Sequence, residues 1–173
     1  VDRRQRQMCI RDSINIITKP LKKSNSKVVE IYANDISYGS YDQFNYSIKM
    51  RTSIEDKFNS LISFHKAKSD GYRYNTDFKN DFIFMKNNIK SKNGFIDIIS
   101  GFSEKKFGAN GFYASPAAID QYEETQSSFF GVSTKFKKEK LVVKPKLYWR
   151  RNQDEYIYIR DNPEIYRNLH ISN

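Results

Sequence analysis

The sequence predicts an all-β protein, an antiparallel up-and-down meander that forms part of a transmembrane β-barrel as an open curved sheet of about seven or eight strands. Seven stretches alternate apolar and polar residues, and one side of each stretch carries no charge. This period of two is typical of extended strands with one apolar face. Tight and long connections take turns along the chain, and stretches of about 9–11 residues match a tilted membrane-crossing strand.

The composition of the chain is compatible with the wall of a transmembrane β-barrel. The chain has 173 residues, of which 38% are apolar and 15% aromatic, and its mean hydropathy is −0.76. It has no run of about 18 apolar residues, so a helical membrane span is excluded. A barrel wall needs apolar residues only at alternate positions, because only those contact lipid.

The net charge of +10 would usually indicate phosphate-bearing or acidic partners. The lysines, however, fall in turns or on the polar sides of strands, which favours a solvated lumen and rim over a nucleic-acid partner. Cys9 is the only cysteine, and His65 and His170 lack metal-ligand spacing. The motifs of phosphate loops, zinc proteases and nucleophile elbows are missing from the sequence. We therefore expect no enzyme, no cofactor and no metal.

The N-terminal region is interpreted separately. Residues 1–13, VDRRQRQMCIRDS, have no periodicity and no apolar middle of a signal peptide. They resemble translated sequencing-adaptor read-through, with a natural basic disordered tail as the alternative. Residues 14–26 contain a short apolar strand that ends at Pro20 and are interpreted as the end of a plug domain and a linker. The chain is interpreted as cut short at both ends.

Residues 27–173 are predicted to form the barrel strands. The seven predicted strands cover 27–34, 43–52, 57–66, 78–89, 95–102, 126–137 and 141–151, and a return strand begins near residue 166. Asn93-Gly94 predicts a tight hairpin, and residues 103–125 form the longest predicted loop. Pro145 deletes a ladder hydrogen bond, so we expect an irregularity there.

The uncharged sides of the seven strands are predicted to share one face of the sheet. Its members are Val29, Ile31, Ala33, Phe44, Tyr46, Ile48, Met50, Phe58, Ile62, Phe64, Phe78, Phe82, Phe84, Ile96, Ile98, Phe102, Phe130, Val132, Thr134, Phe136, Leu141, Val143, Leu147 and Trp149.

Five segments resemble the TonB-dependent outer-membrane receptors of the cobalamin and siderophore branch. They are INIITK (14–19), YGSYDQF (38–44), SDGYRYNTDF (69–78), KKFGANGFYASPAAIDQYE (105–123) and PKLYWRRNQDEYIYIRDNPEIYRNLH (145–170). They follow the family's order and cover nearly everything after residue 13. The resemblance implies the end of a plug and the first strands of a barrel of about 22 strands, with the TonB box and most of the plug outside this sequence.

The resemblance also implies a function. Such receptors lie in the cell outer membrane, surrounded by its lipid, and bind a scarce ligand such as a siderophore or cobalamin at external loops. The TonB complex, acting on the missing N-terminal part of the plug, supplies the energy for import. The resemblance implies no catalysis and no nucleic-acid partner, and the ligand of this chain is not identified.

The candidate ligand contacts are loop residues. They are Phe107, Phe112, Tyr113 and Tyr122, whose aromatic sides, together with the polar tips of the two tyrosines, suit a large amphipathic ligand. Alternatively, these aromatic residues pack among themselves or lie at the lipid headgroups. Arg150 and Arg151, near Asp154, form a rim ion cluster or bind an anionic ligand.

A second class of protein stays open. A soluble basic β-sheet that binds nucleic acid would need lysines and aromatic residues on the same exposed face. A soluble surface adhesin would need a second apolar layer over the uncharged side.

Overall fold

The computed structural model describes residues 21, 26–55, 57–113 and 115–173, and it does not describe the side chains of residues 32 and 33. The proposed tail (1–13) and nearly all of the proposed plug end (14–26) lie outside these residues. The described part of the chain forms one nine-stranded sheet without a helix. Its strands are β1 (Val28–Gly39), β2 (Gln43–Ile54), β3 (Phe58–Ser69), β4 (Phe78–Ser91), β5 (Gly94–Gly108), β6 (Tyr122–Lys138), β7 (Leu141–Val143), β8 (Lys146–Ile157) and β9 (Arg167–Ser172).

The sheet is an antiparallel up-and-down meander, as predicted. The strand order is β1-β2-β3-β4-β5-β6-β8-β9, and β7 pairs with the far end of β6. Every pair is antiparallel. Among the described residues β1 and β9 do not pair with each other, so the sheet is open.

The strand count exceeds the predicted seven or eight because Pro145 divides the predicted strand 141–151. β7 ends at Val143 and β8 begins at Lys146, while β6 runs unbroken beside both. The carbonyl of Pro145 still accepts a hydrogen bond from the Thr134 amide at 3.0 Å. The expected irregularity at Pro145 is therefore confirmed.

Several strands extend further toward the long connections than predicted. The predicted loop 103–125 shrinks to 109–121, because β5 runs to Gly108 and β6 starts at Tyr122. Alternation continues there with charged residues in place of apolar ones, which hid the strands in the sequence. Lys106, for example, forms a salt bridge with Glu124 on the neighbouring strand at 3.1 Å.

The register assigns side chains to two faces, since residues directly opposite each other on paired strands point the same way. The apolar face contains rows such as Met50, Ile62, Met85, Ser100, Phe130 and Trp149, and Thr52, Ser60, Asn87, Ile98, Val132 and Leu147. The polar face contains rows such as Ser47, His65, Phe82, Ser103, Ser127 and Asn152.

The predicted facing of one strand is wrong. Phe78, Phe82 and Phe84 lie on the polar face, because β4 pairs Ile83 and Met85 with the apolar side of β3. Both alternating sets of the Phe82–Met85 segment are apolar, so only the register decides between them. The backbone register of β1 shifts between Ile31 and Ala33, and the predicted facing of the Ala33 side chain lies outside the described side chains.

The described residues build almost no hydrophobic core. Ala109, at 4% exposure, is the one buried hydrophobic residue among them. On the apolar face Ile62, Phe130 and Leu147 are 39%, 40% and 67% exposed. No helix in the described part of the chain is long and apolar enough to span a membrane.

Candidate functional site

The three long connections lie at one end of the sheet and form, with residues 40–42, a surface that we term the loop rim. The long connections are residues 70–77, 109–121 and 158–166, and the tight turns after β2, β4 and β6 lie at the opposite end. The predicted alternation of tight and long connections is confirmed.

Arg160 links the three long loops to one another. Its guanidinium donates to both carboxylate oxygens of Asp77, at 2.6 and 2.9 Å, and to Asn75 Oδ1 at 3.1 Å. It also lies over the ring of Tyr122, with 4.6 Å to the ring centroid. The hydrogen bond with Asp77 raises the pKa of Arg160 above its usual value. The two-pronged geometry orients the loop 158–166 against the loop 70–77.

Asn75 connects two of these loops through backbone groups. It has a left-handed conformation with φ 51°, and its Nδ2 donates to the carbonyls of Ile119 and Gln121 at 2.8 and 2.7 Å. A side chain at Gly108 would collide with the Asn75 carbonyl. The loop 70–77 therefore packs closely on the end of β5, and glycine is required at position 108.

An aromatic row crosses the loop rim. Phe112 contacts Tyr113 edge-on at 4.7 Å, Tyr113 contacts Tyr156 at 5.8 Å, and Tyr156 contacts Tyr166 at 6.2 Å between ring centroids. The fully buried Gln121 donates to the hydroxyl of Tyr156 at 2.8 Å and fixes this row. Burial and a hydrogen bond with Glu123 raise the pKa of Tyr113 well above its usual value.

The four predicted aromatic contacts do not form one cluster. Phe112 and Tyr113 belong to the aromatic row, and Phe112 is 74% exposed. Phe107 lies in β5 across from Phe78 and Glu123 on the polar face. Tyr122 lies on the opposite face beneath Arg160.

The two predicted arginines point to opposite faces because they are neighbours in β8. Arg150 lies across from Phe129, and its Nε donates to Asn152 Oδ1 at 3.1 Å. Arg151 lies across from Ser128. Within the described ranges no salt bridge joins either arginine to Asp154, and an ion pair of the rim lies instead between Arg160 and Asp77.

Sequence reasoning missed Arg160, Asp77, Asn75 and Gln121. Arg160 and Asp77 are 83 residues apart in the chain. No pattern in the sequence indicates that these two residues meet. Their contact depends on the register of four intervening strands.

The apolar face has a belt of paired charges next to the loop rim. The pairs are Lys66–Asp81 at 3.3 Å, Lys79–Asp81 at 3.7 Å, Lys106–Glu104 at 3.5 Å, Lys106–Glu124 at 3.1 Å, Arg167–Glu155 at 2.5 Å, and Lys68–Asp42. The hydrogen bond from Lys68 lowers the pKa of Asp42. Below this belt the same face is apolar, as in β3, where Phe58, Ile62 and Phe64 precede Lys66.

The polar face contains two hollows. One, of about 600 Å³, lies at mid-sheet and is lined by Ser47, Lys49, Ser63, His65, Asn80, Phe82, Ser103 and Lys105. The other, of about 1030 Å³, lies near the tight turns, where Leu21 joins Asn88, Phe95 and Asp97 in its lining. Leu21 therefore lies on the polar side of the sheet.

Comparison with protein-family models, curated proteins and solved structures found no match for this chain. Among the described residues no group of three or more His, Cys, Asp or Glu side chains is arranged to hold a metal ion.

Proposed function

We propose that the chain is a wall segment of an outer-membrane active-transport receptor similar to the TonB-dependent receptors. In this proposal the loop rim faces outward and binds a scarce small ligand such as a siderophore or cobalamin. The polar face lines the lumen, and the TonB complex acts on a plug segment outside the described residues. The observation that carries the proposal is the uncovered apolar face, bordered by a belt of paired charges.

The apolar face of the sheet has no protein layer over it among the described residues, and side chains such as Ile62 and Phe130 are 39% and 40% exposed. Apolar area left in water costs about 25 cal/mol per Å², so hydrocarbon is a fitting cover for the apolar face.

The apolar band covers part of a bilayer crossing, and the lysines that flank it extend its reach. On β3 the band runs from Phe58 to Phe64, and on β4 it runs from Ile89 to Ile83. Six residue steps correspond to about 20 Å of strand. The outward apolar band of known barrels is about 25 Å tall, and the lysines that follow can extend toward headgroups.

The polar side and the loop rim support the rest of the proposal. Leu21 lies on the polar side, where a plug segment would lie inside a barrel. The exposed Phe112 and Tyr166 offer aromatic surface on a rim that Arg160 and Asn75 hold in place. We expect binding rather than catalysis at this rim.

Membrane insertion tests the proposal. The chain is synthesised without cells in the presence of phosphatidylcholine vesicles, which are then washed with alkaline carbonate and floated on a density gradient. We expect the chain to float with the vesicles after the wash. A monomeric chain that stays in buffer and melts cooperatively without detergent would contradict the proposal.

A second candidate is a basic β-sheet that binds nucleic acid. The polar face combines Phe82, Phe84 and Phe129 with Lys49 and Lys105, which is the arrangement that single-strand binding requires. In this candidate a protein layer would have to cover the apolar face. Retarded migration of a decathymidine by the chain without lipid would favour it, whereas our proposal predicts free migration.

A further inference from the structure

We propose that the mid-sheet hollow of the polar face binds a small oxyanion, namely the carboxylate or phosphate groups of a hydroxyl-bearing ligand. This inference rests on the proposed function and narrows the class of ligand that passes the polar face. It concerns Lys49 and Lys105, with His65, Ser47, Ser63 and Ser103 between them.

The charges of the hollow are not neutralised by the protein. Lys49 and Lys105 are exposed, and within the described ranges neither forms a salt bridge or a side-chain hydrogen bond. On the other face of the same strands, Lys66, Lys68 and Lys106 each contact a carboxylate. Two unpaired cations beside one hollow favour an anionic occupant.

The hydrogen-bonding groups of the hollow match an oxyanion. Hydroxyl donors project from three strands at Ser47, Ser63 and Ser103, and Ser47 lies directly across from His65. Asn80 Oδ1 is buried without a partner and can accept a bond from a hydroxyl group of the ligand. The volume of about 600 Å³ lies within the range of small-molecule sites, roughly 300–1,000 Å³.

A polynucleotide fits this face less well than a small ligand. Phe84 and Phe129 contact each other, with 6.3 Å between ring centroids. The Phe129 ring also covers Gly101, where an added Cβ would lie 2.5 Å from the ring. The rings of Phe84 and Phe129 therefore already pack within the sheet, and continuous base stacking would need them free.

The two histidines provide a site-specific test. The chain is labelled with ¹³C-histidine and refolded in dodecylmaltoside micelles at low ionic strength and pH 7, and citrate, pyrophosphate, maltose and decathymidine are titrated separately. We expect citrate or pyrophosphate to shift the His65 signal saturably. The signal of His170, which lies on β9, should stay in place. The response of citrate against that of pyrophosphate distinguishes carboxylate from phosphate recognition.

Matched double variants test the two lysines. K49Q/K105Q should weaken citrate binding at least tenfold, whereas K68Q/K106Q, which removes the same charge from the other face, should bind as the native chain does. K49R/K105R should retain binding, which would show that lost charge rather than lost folding explains the first result.

Several results would overturn the inference. These are an unmoved or unsaturable His65 signal with both anions, equal losses in K49Q/K105Q and K68Q/K106Q, and tighter binding of decathymidine than of citrate. Flotation of the same chain with phosphatidylcholine vesicles, as described for the proposed function, distinguishes a failure of this inference from a failure of the transport proposal. Saturable citrate binding by a chain that does not enter vesicles would keep the oxyanion site and remove the transport function.

Discussion

The two faces of the sheet differ in where their charged side chains lie and in whether these side chains are paired. On the apolar face, the paired charges occur in the belt beside the loop rim, where Lys66 and Lys106 contact carboxylates. Exposed side chains such as Ile62 and Phe130 occupy the band below it, which Arg151 interrupts on β8. The polar face carries hydroxyl groups and, at mid-sheet, cations without acid partners such as Lys49 and Lys105. Its Arg51–Glu30 ion pair lies nearer the tight turns. Our proposal explains this difference by hydrocarbon on one face and water and a ligand on the other.

An arginine placed on either face should give the largest contrast. Ile62 and Ser63 are neighbours in β3 and point to opposite faces. Ile62→Arg should cost about 2–4 kcal/mol of insertion free energy, because the charge would lie in the hydrocarbon. Ser63→Arg should cost less than about 1 kcal/mol, since its side chain lies on the polar face.

Vesicle flotation of both variants against the native chain provides the measurement. Equal insertion of the two variants would remove the distinction between the faces.

A methyl group at Gly101 should give the next largest effect. The added Cβ would lie 2.5 Å from the Phe129 ring and 3.2 Å from the Ile83 carbonyl. Gly101→Ala should therefore lower the free energy of unfolding by roughly 1–3 kcal/mol. Urea unfolding in micelles measures this loss.

Gly39→Ala is the matched control, because its Cβ would meet Gln43 at an ordinary 3.4 Å. A harmless Gly101→Ala would mean that Phe84 and Phe129 do not meet on the polar face.

Loss of the Arg160 side chain should loosen the loop rim. Arg160 and Asp77 are 39% and 35% exposed, so solvent screens their ion pair and Arg160→Ala should cost about 1 kcal/mol. The amides of Gly108 and Ala109, bonded to the Asp77 and Gln121 carbonyls, should exchange about fivefold faster.

Arg160→Lys keeps the positive charge but loses the bidentate geometry of the guanidinium with Asp77. An intermediate amide exchange rate is therefore expected. Arg151→Ala, which removes an arginine of the apolar face, should leave both amides unchanged. Unchanged exchange in Arg160→Ala would show that Arg160 does not hold the loops.

The smallest effect concerns the phenol of Tyr113 at alkaline pH. Its raised pKa means that the unfolded chain loses this proton first, so the stability of the rim should fall as pH rises above about 10. The ionisation of tyrosines is followed by tyrosinate absorbance as the pH is raised. The absorbance lost in Tyr113→Phe, relative to the native chain, should correspond to one tyrosine that ionises at the high-pH end of the titration. Subtraction near pH 10 would show that Tyr113 titrates as a free tyrosine.

The sequence was sufficient for the meander but not for every face. Period-two alternation predicted the strands, and Pro145 predicted the break between β7 and β8. Phe82 and Phe84 were assigned to the wrong side, because both sides of that segment are apolar and only pairing with β3 distinguishes them. The alternation of apolar and polar residues predicts that a strand exists. The pairing register with neighbouring strands determines the face to which each side chain points.

The candidate site was predictable only in part. Loop length and aromatic content pointed to Phe112 and Tyr113, which are in contact. The bonds of Arg160 to Asp77 and Asn75 join segments far apart in sequence, and no local signal marks such pairs.

The central claim is that lipid hydrocarbon covers the apolar face, and spin labels at neighbouring positions test it most directly. Labels are placed at Ile62 or Ser63 of the vesicle-bound chain after Cys9→Ser. Collision with oxygen, which dissolves in hydrocarbon, is compared with collision with a water-soluble nickel complex. We expect oxygen to reach the label at position 62 and the nickel complex to reach the label at position 63. A label at position 62 that is shielded from both reagents, or reached by nickel, would contradict it.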